Sequence, residues 1–104
     1  MKRTPAIVFK KRLSPSEVRE HWIYIPKRYW SWLKPNSIVK AAVGDSVVEM
    51  RIDGWGRMTP LHLLWSDFLE ALGCDPESDS LTFRMREDGL LEISAERPRK
   101  PDST

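Results

Sequence analysis

Six basic residues in the first third of the chain, Lys10, Lys11, Arg12, Arg19, Lys27 and Arg28, are of the type and density that contact phosphate. Guanidinium groups bond phosphates or guanine edges in pairs, ammonium groups act as point charges, and hydroxyls such as those of Ser14 and Ser16 fix register on a nucleic-acid backbone. Trp22, Tyr24, Tyr29 and Trp30 stand among these bases, with Trp32 just beyond. Residues 1–40 hold ten Lys or Arg against Glu17 and Glu20, a net charge of +8. Residues 41–66 carry −1, residues 67–96 carry −7 (Arg84 and Arg86 against nine acids), and residues 97–104 carry +2. The overall +2 conceals this polarity. A cationic half attracts a polyanion and an acidic half turns away from it, so DNA is the expected partner, duplex ahead of single strand. The plain alternative is a solvated face that keeps the domain soluble.

Trp55 stands between Gly54 and Gly56 with Arg57 beside it. On a hairpin tip an indole is hard to bury, so it either stands free to stack on a base or folds back over the end of the domain. His21 and His62 are the only histidines, and neither has Cys or paired carboxylates at metal-ligand spacing. Nucleophile elbow, phosphate loop and HExxH patterns are absent from the sequence, so we expect a binding protein without cofactor or metal, not an enzyme. Cys74 is the single cysteine and cannot form an internal disulfide. The apolar stretch Ala6–Phe9 ends at Lys10, too short for a signal peptide or a membrane span. A cytoplasmic location and no membrane partner are expected.

The elements that must position these residues can be sketched from pattern. At 104 residues the chain has room for one core. Ala6–Phe9 reads as a strand stopping at the triplet Lys10-Lys11-Arg12, which should sit at its exposed end. Ser14 as N-cap, Pro15 at the first helical position and Glu17 three after the serine predict a short helix. Residues 22–25 read as a strand ended by Pro26, and Lys27 to Leu33 as a helical turn with Tyr29, Trp30 and Leu33 on one stripe. Ser37–Val43 and Ser46–Ile52 form a hairpin turned at Gly44-Asp45, with Val48, Met50 and Ile52 facing inward. After an extended piece at Met58 to His62, Leu63 to Leu72 is a helix closed by Gly73, with Trp65 and Phe68 in the core. Either Trp22 or Tyr24, on one strand face, should be core too. Residues 81–86 and 90–93 make a last hairpin, and residues 97–104 read as an unstructured tail.

Residues 22–52 and 61–93 repeat the order strand, short helix, polar loop, strand, tight turn, strand. Tyr24-Ile25-Pro26-Lys27-Arg28 followed by such a unit resembles the AbrB-type swapped-hairpin barrels, in which two units form a DNA-binding double-split barrel. Over about residues 9–84 the chain resembles the B3-type DNA-binding pseudobarrel of plant transcription factors and of some bacterial restriction-enzyme recognition domains. The words are Phe9-x-Lys11-x-Leu13-Ser14-Pro15-Ser16-Glu17-Val18, Ile25-Pro26-Lys27, Leu63-x-Trp65-x-x-Phe68 and Leu81-x-Phe83. The chain departs from that pattern at Leu64, where a Gly is usual, and at Ser78-Asp79, where Gly-Asp is usual. The resemblance implies an N-terminal arm that also reads bases in the major groove. We therefore expect residues 1–96 to form one mainly β (α+β) domain, a small closed β-barrel of pseudobarrel or double-split type with two short helices. Its expected function is DNA binding, as a regulator or recognition module, through Lys10, Lys11, Arg12, Ser14, Ser16, Arg19, Lys27, Arg28, Trp55 and Arg57. Two other readings are a protein-interaction adaptor using the acidic C-terminal face and a small-molecule-binding barrel using Trp22, Tyr24 and Trp55.

Overall fold

The computed structural model describes residues 6–96. The expected tail at 97–104, with Arg97, Arg99 and Lys100, lies outside the described residues, as do Lys2 and Arg3. Seven strands form one curled sheet: β1 (Ala6–Arg12), β2 (Ile23–Tyr24), β3 (Ser37–Val43), β4 (Ser46–Ile52), β5 (Arg57–Pro60), β6 (Ser80–Met85) and β7 (Leu91–Glu96). Their order is β1-β6-β7-β3-β4-β5-β2, antiparallel throughout except for the parallel β3–β7 pair. Two helices, α1 (Pro15–Glu20) and α2 (Trp65–Leu72), and a 3-10 turn at Lys27–Tyr29 complete the fold. No helix among the described residues is long and apolar enough to cross a membrane.

The sheet is a half-barrel and stays open, which corrects the expectation of a closed barrel. Its free edges are β1 and β2. The capped helix α1 begins two residues after β1 and ends at His21, whose left-handed backbone (φ 69°) turns the chain into β2. A helix fills the place where a backbone ladder would close the barrel. Strand β2 itself is only two residues long and ends before Pro26, which has no N–H to donate.

Strand β1 runs three residues further than its apolar stretch suggests. Lys10, Lys11 and Arg12 pair with Thr82, Leu81 and Ser80 of β6, so the basic triplet lies within a ladder and not at a free strand end. The two-residue alternation explains why the strand tolerates them: Phe9 and Leu13 are buried, Lys10 and Arg12 are exposed, and Lys11 faces the inner side. The element order of the second half repeats that of the first, yet the pairing does not. β4 has β5 on its outer side, whereas its counterpart in the first-to-second mapping, β7, lies between β6 and β3.

The core collects Ile23, Ile25, Leu33, Met50, Ile52, Met58, Phe68, Leu81, Phe83 and Leu91, all fully buried. Each large apolar side chain moved from water adds about 1.5–3 kcal/mol. Phe9 stacks on Phe83 at 4.4 Å between ring centroids and on Tyr29 at 4.7 Å, tying β1 to the sheet and to the 3-10 turn. Trp65 and Phe68 anchor α2 on this core as expected. Residues 22–25 present the opposite face from the one expected: Ile23 and Ile25 are core, Tyr24 is 41% exposed and Trp22 is half-buried. The antiparallel pair β2–β5 sets this face, because Ile23 stands opposite buried Met58 and Tyr24 opposite Arg57.

Candidate nucleic-acid interface

The corner between β1 and β2 is built around one carboxylate. Ser14 Oγ accepts from the Glu17 N–H at 3.2 Å, and Ser14 N–H donates back to Glu17 Oε1 at 2.9 Å, a reciprocal helix cap. The second oxygen, Oε2, accepts from the Tyr24 N–H at 2.7 Å and pairs with the Lys11 ammonium. Lys11 Nζ also donates to the Tyr24 carbonyl at 3.0 Å. Thus the outward-facing N–H and C=O of edge strand β2 are both satisfied, by an ion pair instead of a neighbouring strand. Glu17 is only 6% exposed. Burial pushes its carboxyl up, but Lys11 and the N–H groups of Ser14 and Tyr24 outweigh that and hold it below the ordinary glutamate range. Two expected phosphate contacts, Lys11 and Ser14, are therefore engaged at the corner between β1 and β2.

A second construction stands where β4 passes into β5. Asp53 Oδ1 accepts from the N–H of Trp55 at 2.9 Å and of Arg57 at 3.0 Å, and Oδ2 takes the Arg57 Nε–H at 2.6 Å. Slight burial pushes the Asp53 carboxyl up, and these donors more than reverse it. Gly56 adopts φ +80°, and a Cβ there would lie 2.9 Å from the Trp30 ring, so only glycine fits. Trp30 is itself fixed, its indole N–H donating to the Ile25 carbonyl at 2.8 Å. The turn is hydrogen-bonded on both sides of Gly56, and it presents Trp55 with 71% of its surface in solvent. The Arg57 guanidinium lies over both indoles, 4.5 Å from the Trp22 centroid and 4.8 Å from that of Trp55. Tyr24 is Arg57's partner in the β2–β5 register, and the Lys11 ammonium lies 5.8 Å from its ring. Trp22, Tyr24, Trp55 and Arg57 therefore form one aromatic and cationic surface along edge β2.

Beside it, Lys27 lies 5.8 Å from the Trp30 ring and Arg28 5.1 Å from that of Tyr29. Among the described residues no carboxylate pairs with either. Ser16 and Arg19 are exposed on α1, where Arg19 lies 3.7 Å from Glu20. Such solvent-exposed pairs hold by about 0–1 kcal/mol and yield readily to a phosphate. Arg12 and Ser14 border the same groove as Arg19. Lys10 pairs with Glu96 at 3.6 Å, and Arg12 donates to the Glu77 carbonyl. The site thus separates into groups that are exposed and either without a carboxylate partner or in a loose surface pair (Lys27, Arg28, Ser16, Trp55, and Arg19 and Lys10 with Glu20 and Glu96) and groups held in place (Lys11, Arg12, Ser14, and Arg57 on Asp53).

Asp53 escaped the reading of the sequence, and Trp22 is expected there only as core or in a small-molecule barrel, not beside Arg57. Asp53 was legible in retrospect, standing four residues before Arg57 in a glycine-containing turn. Trp22 could not be, since its role depends on which face of β2 turns inward.

Many acids of the C-terminal part are spent locally. Asp79 is buried and accepts from the Asp75 N–H at 2.9 Å, Asp88 pairs with Arg86 at 2.8 Å, Glu92 also meets Arg86, and Glu96 takes the Thr82 hydroxyl at 2.8 Å besides Lys10 and Arg84. An open groove of about 680 Å³ lies between Leu13, Pro15, Val18 and Pro76, away from Trp22, Tyr24 and Trp55. The Cys74 thiol is pushed up to about 11 by burial, with Asp79 and Asp75 adding to it, which leaves it a poor nucleophile. His21 stacks on Trp65 at 5.9 Å, and no cluster of His, Cys, Asp and Glu among the described residues could hold a metal. The chain matches no protein-family model, and no curated protein sequence matches it significantly.

Proposed function

We propose that this protein binds DNA through the face formed by α1, the 3-10 turn and the β4–β5 turn, as a regulator or as the recognition module of a larger system. The observation that carries the reading is the Trp22–Arg57–Trp55 cluster, exposed at Trp55, with Lys27, over the Trp30 ring that abuts Gly56, and Arg28 as the cations of the adjoining 3-10 turn. Two cations without a carboxylate partner attract phosphates, and aromatic planes next to them meet bases. Ser16 and Arg19 add exposed polar groups on α1, Arg19 bordering the groove it shares with Arg12. The ordered words shared with B3-type pseudobarrels, and a mainly β half-barrel with two helices, agree with this reading. A small-molecule barrel draws less support, because its three expected aromatics line an open surface and not the groove.

Fluorescence anisotropy with labelled duplexes at two or more salt concentrations tests the proposal. The logarithm of the association constant should fall linearly with log salt, by about 0.9 per neutralised phosphate on duplex DNA. Lys27→Ala and Arg28→Ala should each lower that slope by about one contact while leaving sequence preference unchanged. Absence of binding to any duplex or single strand at low salt removes the DNA reading.

A further inference from the structure

We infer that Trp55 receives an unpaired base, so that the preferred ligand is duplex DNA carrying an extrahelical or terminally unpaired nucleotide; this inference rests on the DNA reading above. Within an intact duplex every base is stacked on its neighbours and offers only its edges in the grooves. An indole face has no partner there. Trp55 offers such a face: the Arg57 guanidinium lies over the ring, 4.8 Å from its centroid, and 71% of the residue is in solvent.

The turn is built to hold that face out. Asp53 bonds the backbone on both sides of Gly56 and the Arg57 side chain, and Gly56 packs against Trp30, which fixes the backbone that carries the indole. Arg57 is fixed over Trp22 and Trp55 while its Nε is held by Asp53, which makes it a layer of the stack and not a free phosphate hook. A base settling on Trp55 would continue the series of Trp22, Arg57 and Trp55. A cationic ligand would meet Arg57 already in place, so the chemistry selects a neutral aromatic plane. Lys27, over the Trp30 ring that abuts Gly56, stands where the flanking phosphate of a base turned out of the helix needs a counter-charge. Extruding a base costs least where it is already unpaired, and that difference is the source of the preference.

Three labelled oligonucleotides of one sequence, fully paired, with one bulged nucleotide, and single-stranded, are titrated by anisotropy with the full chain and its Trp55→Phe and Trp55→Leu variants. A fourth duplex carries an abasic bulge. The wild type should bind the bulged duplex about tenfold more tightly than the paired one, the effect of one base stacking on an aromatic ring. The abasic bulge should lose that gain, Trp55→Phe should keep most of it, and Trp55→Leu should bind bulged and paired duplexes alike. Thermal melts of both variants should match the wild type, since the residue lies in solvent. Equal affinity for paired and bulged duplexes overturns the inference and leaves the DNA reading standing. A gain that survives in the abasic duplex or in Trp55→Leu overturns it too, pointing to DNA flexibility or to a wedge between paired steps. Tighter binding of the single strand than of the bulged duplex overturns the duplex requirement. If none of the four ligands binds, the DNA reading itself fails.

Discussion

Glu17→Gln should destabilise the fold far more than its position on a six-residue helix suggests. The carboxylate accepts from the N–H groups of Ser14 and Tyr24, pairs with Lys11, and is 6% exposed. Glutamine keeps the shape, but its single oxygen serves one of these donors and its NH2 confronts another. Losing a hydrogen bond to a charged group costs about 1.5–3 kcal/mol, and leaving a buried charge unpaired raises the loss toward about 3–5 kcal/mol. The Lys11 side chain retains 17% exposure and its bond to the Tyr24 carbonyl, so we place the cost near the lower end, ~3 kcal/mol. At about 4 °C or more per kcal/mol for a domain of this size, the melting temperature should fall by about 12 °C or more. Urea unfolding of wild type, Glu17→Gln, Lys11→Met and the double variant should give a coupling of about 1–3 kcal/mol. Hydrogen exchange supplies the local reading: the Tyr24 amide, protected in the wild type on a sheet edge, should exchange rapidly in Glu17→Gln. Because the folded carboxyl lies below its ordinary range, its contribution is complete above that range, about pH 4.3, and is lost as the pH falls through the folded value. A loss below about 1 kcal/mol with coupling near zero, or an unprotected Tyr24 amide in the wild type, refutes the view that this ion pair ties edge β1 to edge β2.

Lys11→Ala should lower the melting temperature while leaving the salt slope of DNA binding at its wild-type value, the reverse of Lys27→Ala; a lowered slope without destabilisation would return Lys11 to the phosphate contacts. Gly56→Ala should cost about 1–3 kcal/mol in urea unfolding, because the new Cβ meets Trp30 at 2.9 Å on a backbone of φ +80°. Asp53→Asn should leave the backbone bonds of the turn in place, release the Arg57 guanidinium and weaken binding to the bulged duplex more than to the paired one. The rate of Cys74 alkylation should still be rising at pH 10, given a thiol pushed up to about 11; a plateau near pH 8 contradicts the burial described.

Local chemistry in this chain was readable because it depends on neighbours in sequence. Ser14-Pro15-x-Glu17 forms its capping box, Gly73 ends α2 in the left-handed region, and Ser37–Val43 and Ser46–Ile52 pair across Gly44-Asp45 in the register their alternation requires. The charge polarity was legible for the same reason, whereas the sequence leaves Trp55 open between standing free and folding back, and the fold puts 71% of it in solvent. What the one-dimensional pattern could not carry is which groups meet across the fold. Two-residue alternation leaves open which of the two faces of residues 22–25 turns inward, and pairing with β5 chose Ile23 and Ile25, sending Tyr24 and Trp22 to the surface. Lys10, Lys11 and Arg12 look alike in a row, yet strand geometry gives them separate partners in Glu96, Glu17 and the Glu77 carbonyl. Closure of the barrel was likewise a tertiary matter. Neighbours along the chain set the β3–β4 hairpin, the caps and the cationic end, whereas the Lys11–Glu17–Tyr24 contact between edges β1 and β2 follows from strand order, because a side chain's partner across the fold is set by topology and by no feature of its own neighbourhood.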